Sequence, residues 1–565
     1  MEPDIALVAV NASYSHTNLA IRYLKRIADD YRLGTICLEY TINDQILRIA
    51  DELIIINPRV LALSCYIWNY EAVLKIIERV KLACPQIFIM IGGPQVINCD
   101  RQWMEEHPEV DLVLTGAGEE SFRIWCELYQ NGNNNLSNIP GSWWRSPEGN
   151  IKNNYVNKRQ VVIGTADYGN EDLKNHLVYY ETSRGCAYKC AYCLSSLDRQ
   201  VQNRDLDQVK IDLTELANSG VRTVKLVDRT FNINEKRARD IIDYWCSLPG
   251  DCCLHCEMVA DIMSSEFVDY LAELPAGRLQ FEIGIQSTNP DSLKAVNRHM
   301  DWQYTAQVVK KLVAAGNIHV HLDLLVGLPY EDWPSLAKSF NAVYDLQPQH
   351  LQIGMLKILP GTLMQDLAAD MAYQYSHFPP YELVSNPWLH AGEVVKLHHL
   401  SETMDKLYNN HDMAKAHNEL IKRYPTAFDY WVALSGMAWR SGMFTAARSN
   451  DAWSYLPVKL AQEQWGDQAA ALVEQQVQLV LLLKERRYHF SHPYTDRALP
   501  DREYHQYRGL IEEKWPQLQG LNLKDFKRRV VVHYLPLLRS SGDTIGLTAF
   551  LYPQSGIPCL DYFSW

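Results

Sequence analysis

Short, almost wholly apolar runs alternate with amphipathic stretches along this chain, and no other feature narrows its possible folds as far. Over the first 130 residues the runs are IALVAV, TICLEY, VLALSCY, IFIMIGGP and DLVLTGAGE, and the stretches between and after them include NLAIRYLKRIADDY, QILRIADELIII, EAVLKIIERVKLA and ESFRIWCELY. Strands that are apolar on both faces are buried on both faces, which is the condition of a parallel sheet covered by crossover helices. The expected architecture is a five-stranded, doubly wound α/β domain. Such sheets bind ligands beyond the carboxyl ends of their strands, and the small and polar residues gather there. They are Asn11 and Ser13 after the first strand, Ser64, Tyr66, Trp68 and Asn69 after the third, Gly92, Gly93, Pro94 and Gln95 after the fourth, and Gly116, Gly118 and Glu119 after the fifth.

The texture then changes. NGNNNLSNIPGSWWRSPEGNIKNN is rich in Asn, Gly, Ser and Pro, which punctuate turns, so a first domain over residues 1–135 and a linker over 136–176 are expected. From 177 the alternation resumes with VYYETSRG, VRTVKLVDRT, CLHCEMVAD, RLQFEIGIQS, HVHLDLLVGLPYE and LQIGMLKILPGT, separated by helical stretches such as DQVKIDLTELANSG. Six strand–helix units fit a partial (β/α)6 barrel over 177–363, with chemistry at the carboxyl ends of its strands. Residues 364–565 read as a mostly helical third domain with one late strand in RVVVHYLPLL, placed to act as a lid or substrate-binding element.

Of the 565 residues, 47% are hydrophobic and 21% charged, the balance of a folded globular protein. A formal net charge of -13 argues against a broad polyanion-binding surface, so nucleic acid is not the expected partner. The start, MEPDIALVAV, lacks the basic segment of a secretory signal, and no apolar run approaches the ~20 residues that span a bilayer. A cytoplasmic location without a membrane span is expected. In a reducing compartment, thirteen cysteines point to metal binding or burial rather than to disulfides. Cys37, Cys65, Cys84, Cys99 and Cys126 are scattered through apolar segments as small core residues. Cys252, Cys253 and Cys256 are closer together but alternate along a strand, CCLHCEMVA, and so make a poor single ligand set.

Cys186, Cys190 and Cys193 stand apart, within ETSRGCAYKCAYCL just after the first barrel strand. Three thiolates in one loop can hold three irons of a cubane and leave the fourth open. Zinc with a fourth ligand from elsewhere is the rival. Cys-x3-Cys-x-aromatic-Cys, met by Cys186, Cys190, Tyr192 and Cys193, resembles the signature of the radical S-adenosylmethionine (SAM) superfamily. That resemblance implies a [4Fe-4S] cluster whose open iron is chelated by SAM, and a 5'-deoxyadenosyl radical released on reduction by an electron donor such as flavodoxin or ferredoxin. It further implies SAM contacts from Tyr192, from Asp228 at the second barrel strand, Glu257 at the third, Glu282, Gln286 and Ser287 at the fourth, Asp323 and Gly327 at the fifth, and Leu359 at the sixth.

A doubly wound, Rossmann-like domain carrying GGPQ ahead of such a barrel resembles the cobalamin-binding class of that superfamily. The resemblance assigns the strand-end residues named above, from Asn11 to Glu119, to cobalamin. The usual Asp-x-His-x-x-Gly cobalt-ligand pattern is missing from NASYSHTNLA, so His16 is not the expected ligand, and Tyr66 or Trp68 is expected to cover the lower face of the cobalt. Methylthiotransferases carry a second three-cysteine loop in the first domain, which these dispersed cysteines do not match. The implied activity is a cobalamin-dependent methyl transfer to an unactivated carbon of a small-molecule or peptide substrate. A non-methylating rearrangement or reduction is the alternative, and a non-catalytic cobalamin or redox sensor a further one.

Overall fold

Every residue of β1 (Ile5–Asn11) is buried, as its unbroken apolar run requires. It pairs in parallel with β2 (Thr35–Thr41) on one side and β3 (Val60–Ser64) on the other, and β4 (Phe88–Gly92) and β5 (Leu112–Leu114) continue the parallel sheet beyond β3. The computed structural model describes residues 3–146, 148–154, 166, 168, 173, 174, 176–409, 414–484, 501–534, 547–551 and 561–564. The sheet has helices on both faces. α1 (Leu19–Asp30) supplies Ile21 and Ala28 to one apolar layer, while α2 (Ile46–Ile56), α3 (Tyr70–Ala83) and α4 (Arg101–Glu106) fill the other with Leu53, Ile76, Val80 and Met104. α5 (Glu119–Gln130) returns to the α1 side with Phe122 and Trp125. The chain leaves β1 and β3 in opposite directions across the sheet, so the crevice of a doubly wound domain opens between their carboxyl ends.

Two further strands correct the linker expected over 136–176. β6 (Ser142–Arg145) and β7 (Ile151–Asn154) add antiparallel to β5 and extend the sheet to seven strands. Trp143 and Trp144 point to opposite faces, one into each apolar layer, and the Gly and Asn residues around them make the tight turns of a hairpin. The rest of that segment lies largely outside the described residues.

The second sheet begins with β8 (Leu177–Tyr180). A two-residue ribbon of β9 (Ser183–Arg184) and β10 (Gln202–Asn203) brackets the cysteine loop, and β11 (Thr223–Leu226), β12 (Cys253–Met258), β13 (Leu279–Gln286), β14 (His319–Val326) and β15 (His350–Met355) follow in spatial order. Pairing from β8 through β14 is parallel. The outward positions Leu254, Cys256, Phe281, Ile283, Val320 and Leu322 are buried, while the inward positions of the same strands include buried His255 and His321 and half-buried Glu257, Glu282 and Asp323. This is the expected partial barrel.

Both sheets, apart from residues 350–352 at the start of β15, belong to one compact unit, residues 1–348 with 353–394, and a second unit holds 349–352 with 395–565. The second unit is chiefly helical. It is built around Tyr430, Trp431 and Leu434, and includes an antiparallel sheet of Val530–Tyr534, Leu547–Leu551 and Asp561–Ser564 over Trp515 and Phe526.

Candidate functional site

Cys186 and Cys190 are buried and Cys193 is half-buried. The loop that carries them is stitched to its surroundings by the backbone. Cys186 N donates to Asp198 O (3.0 Å), Ala191 N to Val296 O (2.9 Å) and Cys193 N to Cys190 O (3.1 Å). Gly185 has φ +95°, and a Cβ there would stand 2.2 Å from Gln200 O, so only glycine fits immediately before the first cysteine. Burial pushes the Cys186 thiol up, and the neighbouring Cys193 and Cys190 charges push it further. A metal must therefore displace its proton. The Arg298 guanidinium faces Cys190 Sγ at 3.8 Å, a fixed positive charge for a thiolate-bound group.

A tetrahedral zinc draws thiolate sulfurs to about 3.8 Å of one another. Among the described residues, the one group of three ligand atoms gathered within 4.8 Å is His255, Glu282 and His321, not the three cysteines. The wider thiol spacing fits a cluster.

The Asp228 carboxylate is 1% exposed and accepts from Thr182 N (2.8 Å), Thr182 Oγ1 (2.5 Å) and Ser183 Oγ (2.7 Å). Burial holds its carboxyl above the usual range in spite of these donors. Expected as a SAM contact, Asp228 instead spends its oxygens bracing the segment that leads into the cysteine loop. Ser287 is placed similarly. It is wholly buried, donates to Glu331 Oε1 (2.5 Å) and accepts from Asn289 N (2.9 Å). At Gly327 a Cβ would stand 2.2 Å from Leu383, and its carbonyl accepts from Tyr373 and Asn386, so its small size admits neighbouring side chains. Tyr192 lies half-buried beside Cys190, and Leu359 is half-buried with its carbonyl accepting from Thr362.

Inward positions of neighbouring barrel strands meet in one polar cluster. Glu282 Oε2 accepts from Lys225 Nζ at 2.8 Å and lies 2.9 Å from His255 Nε2. Burial alone would raise the Glu282 carboxyl, but the His255 contact and the Lys225 charge hold it well below the usual carboxylate range. Lys225 already supplies Glu282 with a cation. Asp323, facing His321 at 3.0 Å, is raised by burial. Glu257, in register with Glu282, faces half-exposed Arg229 at 3.5 Å, and burial lifts its carboxyl to about 7. Gln286, at φ +69°, folds its amide back over Gly284. Lys225, His255 and His321 were missed from sequence. Their signal was the period-two placement of polar residues in VKLV, CLHCEM and HVHLDL.

At the first sheet's strand ends, Trp68 lies flat on Tyr66 (ring centroids 4.5 Å apart, 9°) with 44% of its surface exposed. Its Nε1 donates to Val10 O at 3.2 Å. Gly118 has nothing within 4 Å of a notional Cβ, whereas Gly93, at φ +126°, lies against Cys65 O. Gly92 abuts Leu114, Gly116 has φ +78°, and Pro94 opens a short helical turn. An exposed flat aromatic beside strand ends that carry four glycines, with open space at Gly118, fits a corrin. Asn69 is occupied by its own loop. It is fully buried, donates to Val10 O and Ser64 O, and accepts from Tyr66 N, so its amide is used up holding the loop. Asn11 donates to Glu39 (2.6 Å) and His16 O, Ser64 receives Asn18, and half-buried Ser13 pairs with exposed Ser15.

These strand ends meet the barrel mouth. Leu177 N donates to Ser15 O (2.6 Å), His16 stands edge-on to Tyr179, Gln95 donates to Tyr381, Asn98 Nδ2 donates to Pro360 O (2.8 Å), and Glu119 pairs with Arg184 (2.6 Å). Gln95 and Glu119, expected at cobalamin, thus engage the barrel.

Comparison with known proteins agrees with this division. Family models described as B12 binding domain, Radical SAM superfamily and Protein of unknown function (DUF4080) match residues 5–124, 180–343 and 369–535. The cobalamin-dependent radical SAM methyltransferase TokK of Streptomyces tokunonensis is 26% identical over 337 residues, 54% of this chain and 48% of TokK. The 2-(S-pantetheinyl)-carbapenam-3-carboxylate methyltransferase of Streptantibioticus cattleyicolor is 24% identical with the same coverage. The chain thus spans about half the length of these curated relatives. Among solved structures, TsrM from Kitasatospora setae with cobalamin and a [4Fe-4S] cluster bound aligns at TM-score 0.55 with 17% identity, over 67% of this chain and 82% of TsrM. OxsB with aqua-cobalamin and SAM bound aligns at 0.53 with 14% identity, over 93% of this chain and 82% of OxsB. At these identities the structural likeness is one of fold.

Proposed function

We propose that this chain, which joins a B12-binding domain to a radical SAM domain and is homologous to cobalamin-dependent radical SAM methyltransferases, moves a methyl group from SAM by way of cobalamin to an unactivated carbon of a small-molecule or peptide substrate. The observation that carries this reading is the joining of the two loop sets. The segment leading into Cys186 is bonded to the Glu119 loop, and Asn98, after β4, to Pro360, after β15, so loops at the carboxyl ends of both sheets lie side by side.

When bound, the cluster, SAM and cobalamin supply the homolytic bond cleavage and the methyl carrier. Cys186, Cys190 and Cys193 would hold the cluster, with Arg298 as their cation. The Trp68 face and the glycines after β4 and β5 would hold cobalamin. Within the barrel, Glu282 is a fixed anion anchored by Lys225, and Glu257 can hold or release a proton near neutral pH. Electrons would come from an external donor such as flavodoxin or ferredoxin.

The test is anaerobic reconstitution followed by reduction, with methyl-labelled SAM, hydroxocobalamin and a cell extract as the substrate source. The expected result is 5'-deoxyadenosine together with label in a product. Deoxyadenosine without transferred label would indicate a rearrangement or reduction instead. Absence of both would leave a sensor.

A further inference from the structure

Arg184 sits two residues before Cys186, and its guanidinium reaches out of the barrel domain. Nη2 lies 2.6 Å from Glu119 Oε1, in the first turn of α5, and also contacts Glu181 at the end of β8. The three side chains are 20%, 12% and 7% exposed, so water screens them little. The ring of Tyr23, from α1, lies 5.9 Å below the guanidinium. A planar fork answers two carboxylates at once, which a lysine ammonium does only in part. On the Arg184 side, Gly185 is locked against Gln200 O and Cys186 N is tied to Asp198 O, so a shift of the guanidinium moves the first cysteine. On the Glu119 side, the carboxylate is one residue from Gly118, where the backbone faces open space.

We propose that Glu119, Arg184 and Glu181 form a coupling device in which Arg184 is a positioning residue, tying the cysteine loop to the strand-five loop of the first domain so that cluster and cobalamin each stabilise the other's site. The proposal rests on the cofactor reading above. Coupling between two sites is reciprocal: whatever cluster assembly adds to cobalamin affinity, cobalamin adds to cluster retention. The domains have other ties, Leu177 to Ser15 and Asn98 to Pro360, so the triad can be cut without separating them.

The experiment titrates the full-length protein with hydroxocobalamin by visible absorbance, cluster-free and cluster-reconstituted, for the wild type, Glu119→Gln, Arg184→Gln, Arg184→Lys and the Glu119→Gln/Arg184→Gln double variant, with circular dichroism to verify folding. In the wild type, reconstitution is expected to tighten cobalamin binding about fivefold or more, the lower end of ordinary coupling. In Glu119→Gln and Arg184→Gln that ratio falls to within about twofold of unity, and the double variant falls no further. Arg184→Lys keeps part of it. If Arg184→Gln does not fold, the isosteric Glu119→Gln decides. An unchanged ratio in Glu119→Gln, or a wild-type ratio of one with cobalamin still bound, overturns the coupling and leaves the cofactor reading standing. A wild type that binds no hydroxocobalamin in either state overturns both.

Discussion

Replacing Asp228 by alanine and by asparagine separates a bracing role from a ligand-contact role. In the alanine variant, Thr182 N is left buried without an acceptor, at a cost of about 1–3 kcal/mol. The hydroxyls of Thr182 and Ser183 lose theirs too but can rotate, adding about 1 kcal/mol each, for a total of about 3–5 kcal/mol. Asparagine can restore every contact. Its amide oxygen accepts from Thr182 N, and its amino group donates to the two hydroxyls, which turn to accept. What it loses is charge, including the attraction of Arg237. Burial already holds the Asp228 carboxyl above the usual range, so that loss is small, about 1 kcal/mol. Urea unfolding of the full-length protein measures the difference, and hydrogen exchange of amides 182–186 locates it. Iron retained per chain reports on the loop downstream. Alanine should lower stability by about 2 kcal/mol or more beyond asparagine, speed exchange locally and shed iron. Equal losses in the two variants, or unchanged exchange at 182–186, would refute the bracing argument.

Three other outcomes are expected. Cys186→Ala, Cys190→Ala and Cys193→Ala should each fold yet lose the iron of a reconstituted cubane, about four per chain, as measured by iron assay and visible absorbance. Glu257 has its folded-state carboxyl raised from 4.5 to about 7. Its contribution to stability is therefore full below pH 4.5 and is lost as pH rises through 7, about 3 kcal/mol in all, and Glu257→Gln should flatten that part of an unfolding-versus-pH series from 4.5 to 8. Gly93→Ala places a Cβ 2.4 Å from Cys65 O at φ +126°. Thermal unfolding should show a loss of at least about 2–3 kcal/mol, and hydroxocobalamin binding should weaken with it.

The features legible in the sequence were those set by local spacing. Unbroken apolar runs such as IALVAV announce strands buried on both faces wherever they pair, and β1 is buried at all seven positions. Three cysteines within eight residues are neighbours in any fold. By contrast, β6 and β7 were hidden because a short edge hairpin needs few apolar residues, and two tryptophans among asparagines look like loop. Polar residues at strand ends were ambiguous for a different reason. Whether such a side chain faces a ligand or its own backbone is decided by turn geometry, and at Asn69, Asp228 and Ser287 the backbone or a neighbouring side chain claims it.

The barrel interior shows where reading single strands stops working. A closed barrel fills its centre with branched apolar side chains. Here the inward positions of five adjacent strands carry Tyr179, Lys225, His255, Glu257, Glu282, His321 and Asp323, in parallel registers that place Lys225 opposite His255 and Glu282 opposite His321. Each strand alone reads as an ordinary half-polar strand. Only the registers bring two histidines, a lysine and three carboxylates into one space, where Glu282 is held charged while Glu257 and Asp323 are pushed toward their neutral forms. Neighbouring carboxylates driven apart in this way are costly to keep in a core that served stability alone. The arrangement is intelligible if the lumen is meant to be filled by something polar that is not part of the chain.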